Sequence, residues 1–306
     1  MIGIICKNKL EGAPDLFSNF RLGLKNYFDT NFKNIEHEDD LDNINILIIV
    51  DEHWPPHVDI WKCGTFISRL NDLNIKTLVF NFERIVSQHF QWNIEHQQKL
   101  ETIKNLQQLV SDVDDFKIRE LQIQRNKKAT IAPFINKQLL SRDTKLEYEP
   151  VEKKDRILFI GQSDPAFNAT WAYARRFNIL NELKHRDDVP LDIHVTNREL
   201  TYKEYLTKLA SYKFILNPLG TGDFINVRFY EALKLGCIPI QQVTDNMIGM
   251  YSELSENICT TFKTSADVHG NQQVPADFQI PTGTFSTFDY YLEDYFEDIQ
   301  LSKLLE

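Results

Sequence analysis

The chain is predicted to be an α/β protein built as two successive domains, each a parallel sheet wrapped by crossover helices. Three observations predict this. The 306 residues are many for a single core and suit two α/β domains. Short apolar runs alternate with amphipathic stretches, which is the signature of a parallel sheet with helical crossovers. A polar stretch at 136–155, rich in Glu, Lys and Asp, interrupts that alternation, which then restarts.

The elements follow in order. Residues 2–6 (IGIIC) are a first strand. Residues 13–29 place Leu16, Phe20, Leu24 and Phe28 on one helical face. Residues 44–50 (INILIIV) read as a continuous buried strand, of the kind parallel sheets use. A helix at 62–73, a strand at 76–82 and a long helix at 88–110 come next, then shorter strands at 115–118 and 130–135. After the linker, 156–161 (RILFIG) opens the second sheet. A helix at 171–183, a strand at 191–195 and a helix at 202–210 follow. Phe214, Ile215 and Leu216 make a strand, which Asn217, Pro218, Gly220 and Gly222 break. The spacing predicts a helix over 224–235, ended by Gly236, and a strand from Ile238 to Ile240. Residues 260–287 read as irregular and 288–305 as helical. The expected domains are 1–140 and 155–286, with a last helix, 287–306, placed to return to the first domain.

Composition narrows the function classes. A net charge of −10 argues against nonspecific nucleic-acid binding, which needs a basic surface. Hydrophobic content of 42% and charged content of 25% are those of an ordinary globular protein. No apolar run approaches the ~20 residues of a membrane-spanning helix. The opening MIGIICKNKL has no basic residue before its apolar run, so it reads as a strand and not as a signal peptide. Cys6, Cys63, Cys237 and Cys259 form no C-x-x-C pair; they read as reduced thiols, and the expected location is the cytoplasm.

The segment 211–242 carries the chemistry. A strand, a glycine-bearing loop and a helix leave backbone N–H groups free at the helix start, where an anion sits. Asn217, Gly220, Thr221, Gly222 and Asp223 are placed to wrap a pyrophosphate, with the glycines leaving N–H groups uncovered. Arg228 and Glu231, three apart, share a helix face. One cation for phosphate and one carboxylate for sugar hydroxyls is the equipment of a nucleotide-sugar site. The plain alternative is a helix capped by Asp223 that bears a surface Arg–Glu pair.

The same residues carry a resemblance. Pro218-x-Gly220-x-Gly222, Arg228-x-x-Glu231-Ala232 and Gly236-Cys237-Ile238-Pro239 resemble the donor-binding segment of exostosin-like glycosyltransferases, which have the GT-B fold: two Rossmann-like domains with parallel sheets facing a central cleft. Asp223 and Glu231, eight apart, are similar to the Glu-x7-Glu pair of many GT-B enzymes. The close likeness covers 211–242; the rest of the chain matches in layout only. Alpha-1,3-fucosyltransferases have a similar segment with a Glu-Lys pair where this chain has Glu231-Ala232. The resemblance implies a transfer of a sugar from a nucleoside diphosphate sugar, UDP favoured, to a hydroxyl of a glycan or glycoconjugate. It implies an inverting displacement with no metal or other cofactor, Arg228 stabilising the leaving diphosphate and Glu231 holding ribose hydroxyls. The membrane anchor usual in animal members is not seen, so a soluble catalytic module is expected.

Further candidates come from topology, since ligands gather at the carboxyl ends of parallel strands. Gly161, with Gln162, Ser163 and Asp164 after it, is placed to approach a ligand closely, and Arg175 or Arg176 to add a phosphate contact; a plain turn with solvated arginines is the alternative. His194–Arg198 is placed beside the nucleobase. A base that deprotonates the acceptor hydroxyl is expected from the first domain. Asp51, Glu52 and His53 are the candidates, with Glu83 a rival, Trp54 and Trp61 available for sugar stacking, and 7–12 facing the acceptor. Asp112-Val113-Asp114 sits at a helix end, and Pro55-Pro56 between His53 and His57 forbids a helical pair, so no metal is expected. No nucleophile elbow, P-loop or dinucleotide fingerprint is present. Three alternatives stay open: a GDP-sugar-using, fucosyltransferase-like enzyme, a retaining enzyme, and a noncatalytic binding domain on the same fold.

Overall fold

The computed structural model describes residues 1–6, 16–29, 32–51, 64–81, 100, 102–110, 128–131, 145–163, 171–196, 199–220, 225–249, 251, 254–266, 272–287 and 292–305. The chain forms two compact units. The first comprises Met1–Leu10, Asp15–Arg142 and Tyr291–Glu306; the second is chiefly Asp143–Tyr290. Each is built on a parallel sheet, so the α/β class with two Rossmann-like domains stands. Among the described residues no helix is long and apolar enough to cross a membrane.

The first unit holds strands β1 (Ile2–Cys6), β2 (Lys33–Asn34), β3 (Ile46–Asp51), β4 (Lys76–Asn81), β5 (Leu106–Val110) and β6 (Lys128–Ile131). Their order is β2-β1-β3-β4-β5-β6, and every neighbouring pair is parallel. Leu47, Ile48, Ile49 and Val50 are all buried, as a strand covered on both faces must be. Helix α1 (Leu16–Phe28) turns Phe20 and Leu24 inward, and α2 (Gly64–Asp72) buries Phe66, Ile67 and Leu70.

The predicted helix over 88–110 is corrected at its end. Residues 106–110 are a strand, paired Thr77↔Leu106 through Asn81↔Val110. Leu100, Ile103, Leu106 and Leu109 recur every three residues and are all buried, so their spacing imitates a helix. Sheet pairing against β4 overrides it. Residues 82–99 and the expected strand at 115–118 lie outside the described residues.

The C-terminal segment packs within this first unit through α6 (Leu292–Asp298) and α7 (Leu301–Leu304). Phe296 is fully buried, with ring centroids 5.5 Å from Phe20 and 6.3 Å from Phe80, both edge-on. Asn26 Nδ2 donates to Glu293 Oε1 at 2.9 Å, and the Tyr27 and Ser302 hydroxyls lie 3.0 Å apart.

The second unit holds β7 (Lys154–Gly161), β8 (Leu191–Val195), β9 (Tyr212–Asn217), β10 (Ile238–Gln242) and β11 (Thr260–Phe262), ordered β11-β10-β9-β7-β8, all parallel. Alternation sends successive side chains to opposite faces. Ile157, Phe159, Phe214, Leu216 and Ile240 pack with Ile179, Leu180 and Leu183 of helix α3 (Trp171–Lys184). Leu158, Ile160 and Ile215 pack with Leu206 and Leu209 of α4 (Tyr202–Ala210), and with Ala232 of α5 (Val227–Lys234) and Leu235 just beyond it. The chain runs from β7 outward to β8, then returns past β7 to β9. That reversal opens a crevice at the carboxyl ends of β7 and β9.

Two more expectations are corrected here. Helix α5 starts at Val227, not Phe224, because the Asn226 side chain accepts from the Arg228 N–H and caps it. Residues 260–287 are not wholly irregular: β11 extends the sheet, and β12 (Ser265–Ala266) pairs antiparallel with β13 (Gln272–Gln273).

Candidate functional site

The site grows from strand ends at the reversal point. Strand β7 ends on Gly161 with φ +146°, a backbone that side chains rarely allow. A Cβ there would stand 2.2 Å from Arg228 Nη2. The glycine thus lets the guanidinium cross the end of the strand. Arg228 lies over the Phe159 ring, 5.1 Å from its centroid, and Nη1 donates to Asn217 Oδ1 at 3.3 Å. Its buried Nε has no hydrogen-bond partner among the described residues. Gly161→Ala is therefore expected to cost about 1–3 kcal/mol from the backbone alone and to push the Arg228 guanidinium aside. Urea unfolding measures the cost; a variant as stable as the parent contradicts it.

Helix α3 supplies two more arginines. Arg175 Nη2 donates to the Gly220 carbonyl at 2.7 Å. Arg176 Nε donates to the Leu219 carbonyl at 3.1 Å and Nη1 to the Gln162 carbonyl at 3.3 Å. Both hold the loop after β9 by its carbonyls. Burial pulls the Arg176 pKa down to about 10, and the neighbouring Arg228 and Arg175 charges add to the fall. Among the described residues neither Arg176 nor Arg228 has a carboxylate at ion-pair distance. Cations crowded at part-buried positions repel one another, and an anionic ligand relieves the repulsion.

Glu231 lies elsewhere than the sequence reading placed it. It is 1% exposed. Its Oε1 accepts from the Tyr202 hydroxyl at 2.9 Å and its Oε2 from Tyr205 at 2.6 Å. Sharing a helix face with Arg228 did not make that face a surface, because α4 covers it. Burial pushes the Glu231 pKa up, while the two tyrosine bonds and the Arg228 charge oppose the rise. Burial, joined by the Glu231 charge, also raises both tyrosine hydroxyls.

The sign of the linkage follows. A folded-state carboxyl pKa raised above its ordinary 4.5 means that the folded protein holds the proton more tightly than the unfolded chain. Stability therefore falls as pH rises from that value through the raised one. The wild-type curve of unfolding free energy against pH should contain this fall, and Glu231→Gln should lack it. Superimposable curves contradict the expectation.

Three buried amides underlie the arginines. Asn217 and Gln241 are 0% exposed and Gln242 2%. Asn217 Nδ2 donates to Gln241 Oε1, and Gln241 Nε2 to the Gln242 carbonyl. Gln242 Oε1 accepts from the Leu219 N–H at 2.9 Å, while its Nε2 donates to the Thr264 hydroxyl at 2.8 Å. The Thr264 hydroxyl donates in turn to Gln272. At the ends of β7 and β8, both amide atoms of Gln162, His194 Nε2 and Thr196 Oγ1 are buried without a partner among the described residues.

Of the candidates, the structure brings together Gly161, Arg175, Arg176, Asn217, Gly220 and Arg228. Thr221, Gly222 and Asp223 lie outside the described residues, as do Glu52, His53, Trp54, Trp61, Glu83 and the stretch 7–12. Asp51 ends β3; its side chain is outside the description. Sequence reasoning missed Tyr202, Tyr205, Gln241 and Gln242. The Tyr-x-x-Tyr spacing and two glutamines closing a buried strand were the available signals. Cys237, 4% exposed, lies with its Sγ 3.0 Å from Lys153 Nζ and reads as core. Among the described residues no group of three or more His, Cys, Asp or Glu could hold a metal ion.

No family model matches the chain, and no curated protein does. Among solved structures it is similar to a UDP-glucosyltransferase from Polygonum tinctorium capable of glucosylating indoxyl and 3,4-dichloroaniline. The identity is 11% over 84% of this chain and 67% of that one, with a TM-score of 0.35. It is similar to the spinosyn rhamnosyltransferase SpnG complexed with thymidine diphosphate, at 10% identity over 78% of this chain and 63% of that one, TM-score 0.33. The spinosyn forosaminyltransferase SpnP gives 10% identity over 100% and 82%, TM-score 0.32.

Proposed function

We propose that the chain is a glycosyltransferase of the GT-B type whose second unit binds a nucleoside diphosphate sugar, UDP favoured, and which moves the sugar to a hydroxyl of a glycan or glycoconjugate. One observation carries the reading: Arg176 and Arg228 converge, without a carboxylate partner among the described residues, on the carboxyl ends of β7 and β9. That is where parallel sheets of this kind hold ligands. Guanidinium groups suit phosphate oxygens, giving directed, charge-assisted hydrogen bonds. The Arg228 Nε, unsatisfied among the described residues, adds a donor that a ligand can engage. The sugar half of the reading rests on the likeness of 211–242 to the exostosin-like donor segment.

The chemistry follows from the charges. As the anomeric carbon–oxygen bond breaks, negative charge grows on the departing diphosphate. A fixed guanidinium aimed there stabilises the transition state more than the ground state. Arg228 has that role, in place of a metal. Arg175 and Arg176 hold the 218–220 loop against the phosphates. Glu231, with both oxygens engaged by tyrosines, anchors α5 and so Arg228; the ribose hydroxyls are left to other groups. Asp51, Glu52 and His53 stay the candidates for the base of an inverting displacement.

Thermal unfolding with a panel of UDP, GDP, dTDP and inorganic pyrophosphate tests the proposal. A ligand at about 100 times its dissociation constant should add about 2.7 kcal/mol. Stabilisation by UDP supports the reading in full. A preference for GDP moves it to a fucosyltransferase-like donor. No stabilisation by any of them overturns it.

A further inference from the structure

We infer that Gln241 and Gln242 are positioning residues, which set the arginine cluster for its ligand without touching that ligand; the inference rests on the diphosphate-binding reading above. Buried amides are a costly way to fill the end of a strand, since each donor and acceptor must be matched. Here the matching has a direction. Gln241 accepts from Asn217 Nδ2, which turns Asn217 Oδ1 toward Arg228 Nη1. The amide cannot flip without facing its Nδ2 to the guanidinium and its oxygen to the glutamine oxygen. Gln241 therefore selects the one orientation of Asn217 that accepts from Arg228.

Gln242 does the corresponding work on the loop. Its Oε1 holds the Leu219 N–H, and the Leu219 carbonyl accepts from Arg176 Nε at 3.1 Å. Its own orientation is set by Thr264 and, through that hydroxyl, by Gln272 of β13. Two adjacent residues at the end of β10 thus reach Arg228 by one route and Arg176 by another. The two glutamines, Asn217 and Leu219 are buried, so water does not readily replace a lost amide partner, while the bonds at the two arginines are part-buried. A purely structural pair of glutamines would stabilise the strand end and leave ligand affinity alone; this pair predicts coupling to the arginines.

A double-mutant cycle separates the two. The dissociation constant for UDP is measured by calorimetry for the wild type, Gln241→Met, Arg228→Lys and the double variant, with melting temperatures alongside. Gln241→Met should weaken UDP about 10-fold in the wild type and no more than about 2-fold beside Arg228→Lys, because residues acting through one group are not additive. The loss of melting temperature should be equal in both backgrounds. Gln241→Asn, which retracts the amide without removing it, gives the same sign with a smaller effect if the methionine variant does not fold. Equal weakening in both backgrounds, or none in the wild type, overturns the inference while leaving UDP binding intact. A wild type that binds no UDP fails the diphosphate reading itself, which is a separate outcome.

Discussion

Replacing Arg228 by alanine should weaken nucleoside diphosphate binding by at least about 100-fold and lower kcat by a factor of about 10²–10³, the range found when a single donor to a developing oxyanion is removed. The side chain bonds Asn217, rests on Phe159 and interacts with the Tyr205 hydroxyl and the Glu231 charge, so its truncation removes part-buried contacts but no ion pair at bonding distance among the described residues. The helix cap is untouched, because Asn226 bonds the backbone N–H of Arg228 and not its side chain. Removing one of several crowded cations also relieves Arg176, whose pKa Arg228 depresses. The melting temperature should therefore change little while affinity collapses. Calorimetric titration with UDP, beside a thermal scan, reads both quantities. Retained affinity would remove the guanidinium from the site, and a collapsed melting temperature would make it a structural residue.

Phe296→Ala should cost about 3–5 kcal/mol of unfolding free energy, as buried aromatic truncations do. The ring is fully buried and meets Phe20, Phe80 and Tyr27 edge-on. Those partners come from α1 and β4, so the void would open beneath the C-terminal segment and between elements far apart in the chain. A typical domain has about 5–15 kcal/mol in total, so this one change approaches the limit of what the first unit tolerates. Urea denaturation gives the value directly. A cost under about 1 kcal/mol would mean that the segment does not close that core.

The strands of both sheets were legible wherever a run of Ile, Leu, Val and Phe stood between polar breaks, as in β3 and β7. Such runs are buried on both faces, and no alternative element of that length satisfies them. The end of the predicted helix over 88–110 was misread because Leu100, Ile103, Leu106 and Leu109 suit either period; only pairing with β4 decides. β11 escaped notice for a related reason: Thr260-Thr261-Phe262 is too short and too polar to announce itself without β10 beside it.

The candidate site was legible in its cations and its glycines. Gly161, Arg175, Gly220 and Arg228 follow from the rule that ligands meet the carboxyl ends of strands. Glu231 was misplaced because helical spacing reports which residues share a face, never what covers that face. Tyr202 and Tyr205 do the covering, from a helix more than twenty residues earlier. Gln241 and Gln242 were illegible for the opposite reason. A glutamine at a strand end has no functional signature until its amide is seen to point at something.

The absent side chain at position 161 and the long one at position 228 occupy a single volume. The glycine cannot change alone. A lineage that exchanged it for any larger residue would have to shorten or redirect the arginine in the same step, whereas one that lost the arginine would still need glycine for the backbone at φ +146°. The arginine should therefore be inherited only with the glycine, and a relative that keeps the glycine without it will have given up the chemistry of this strand end.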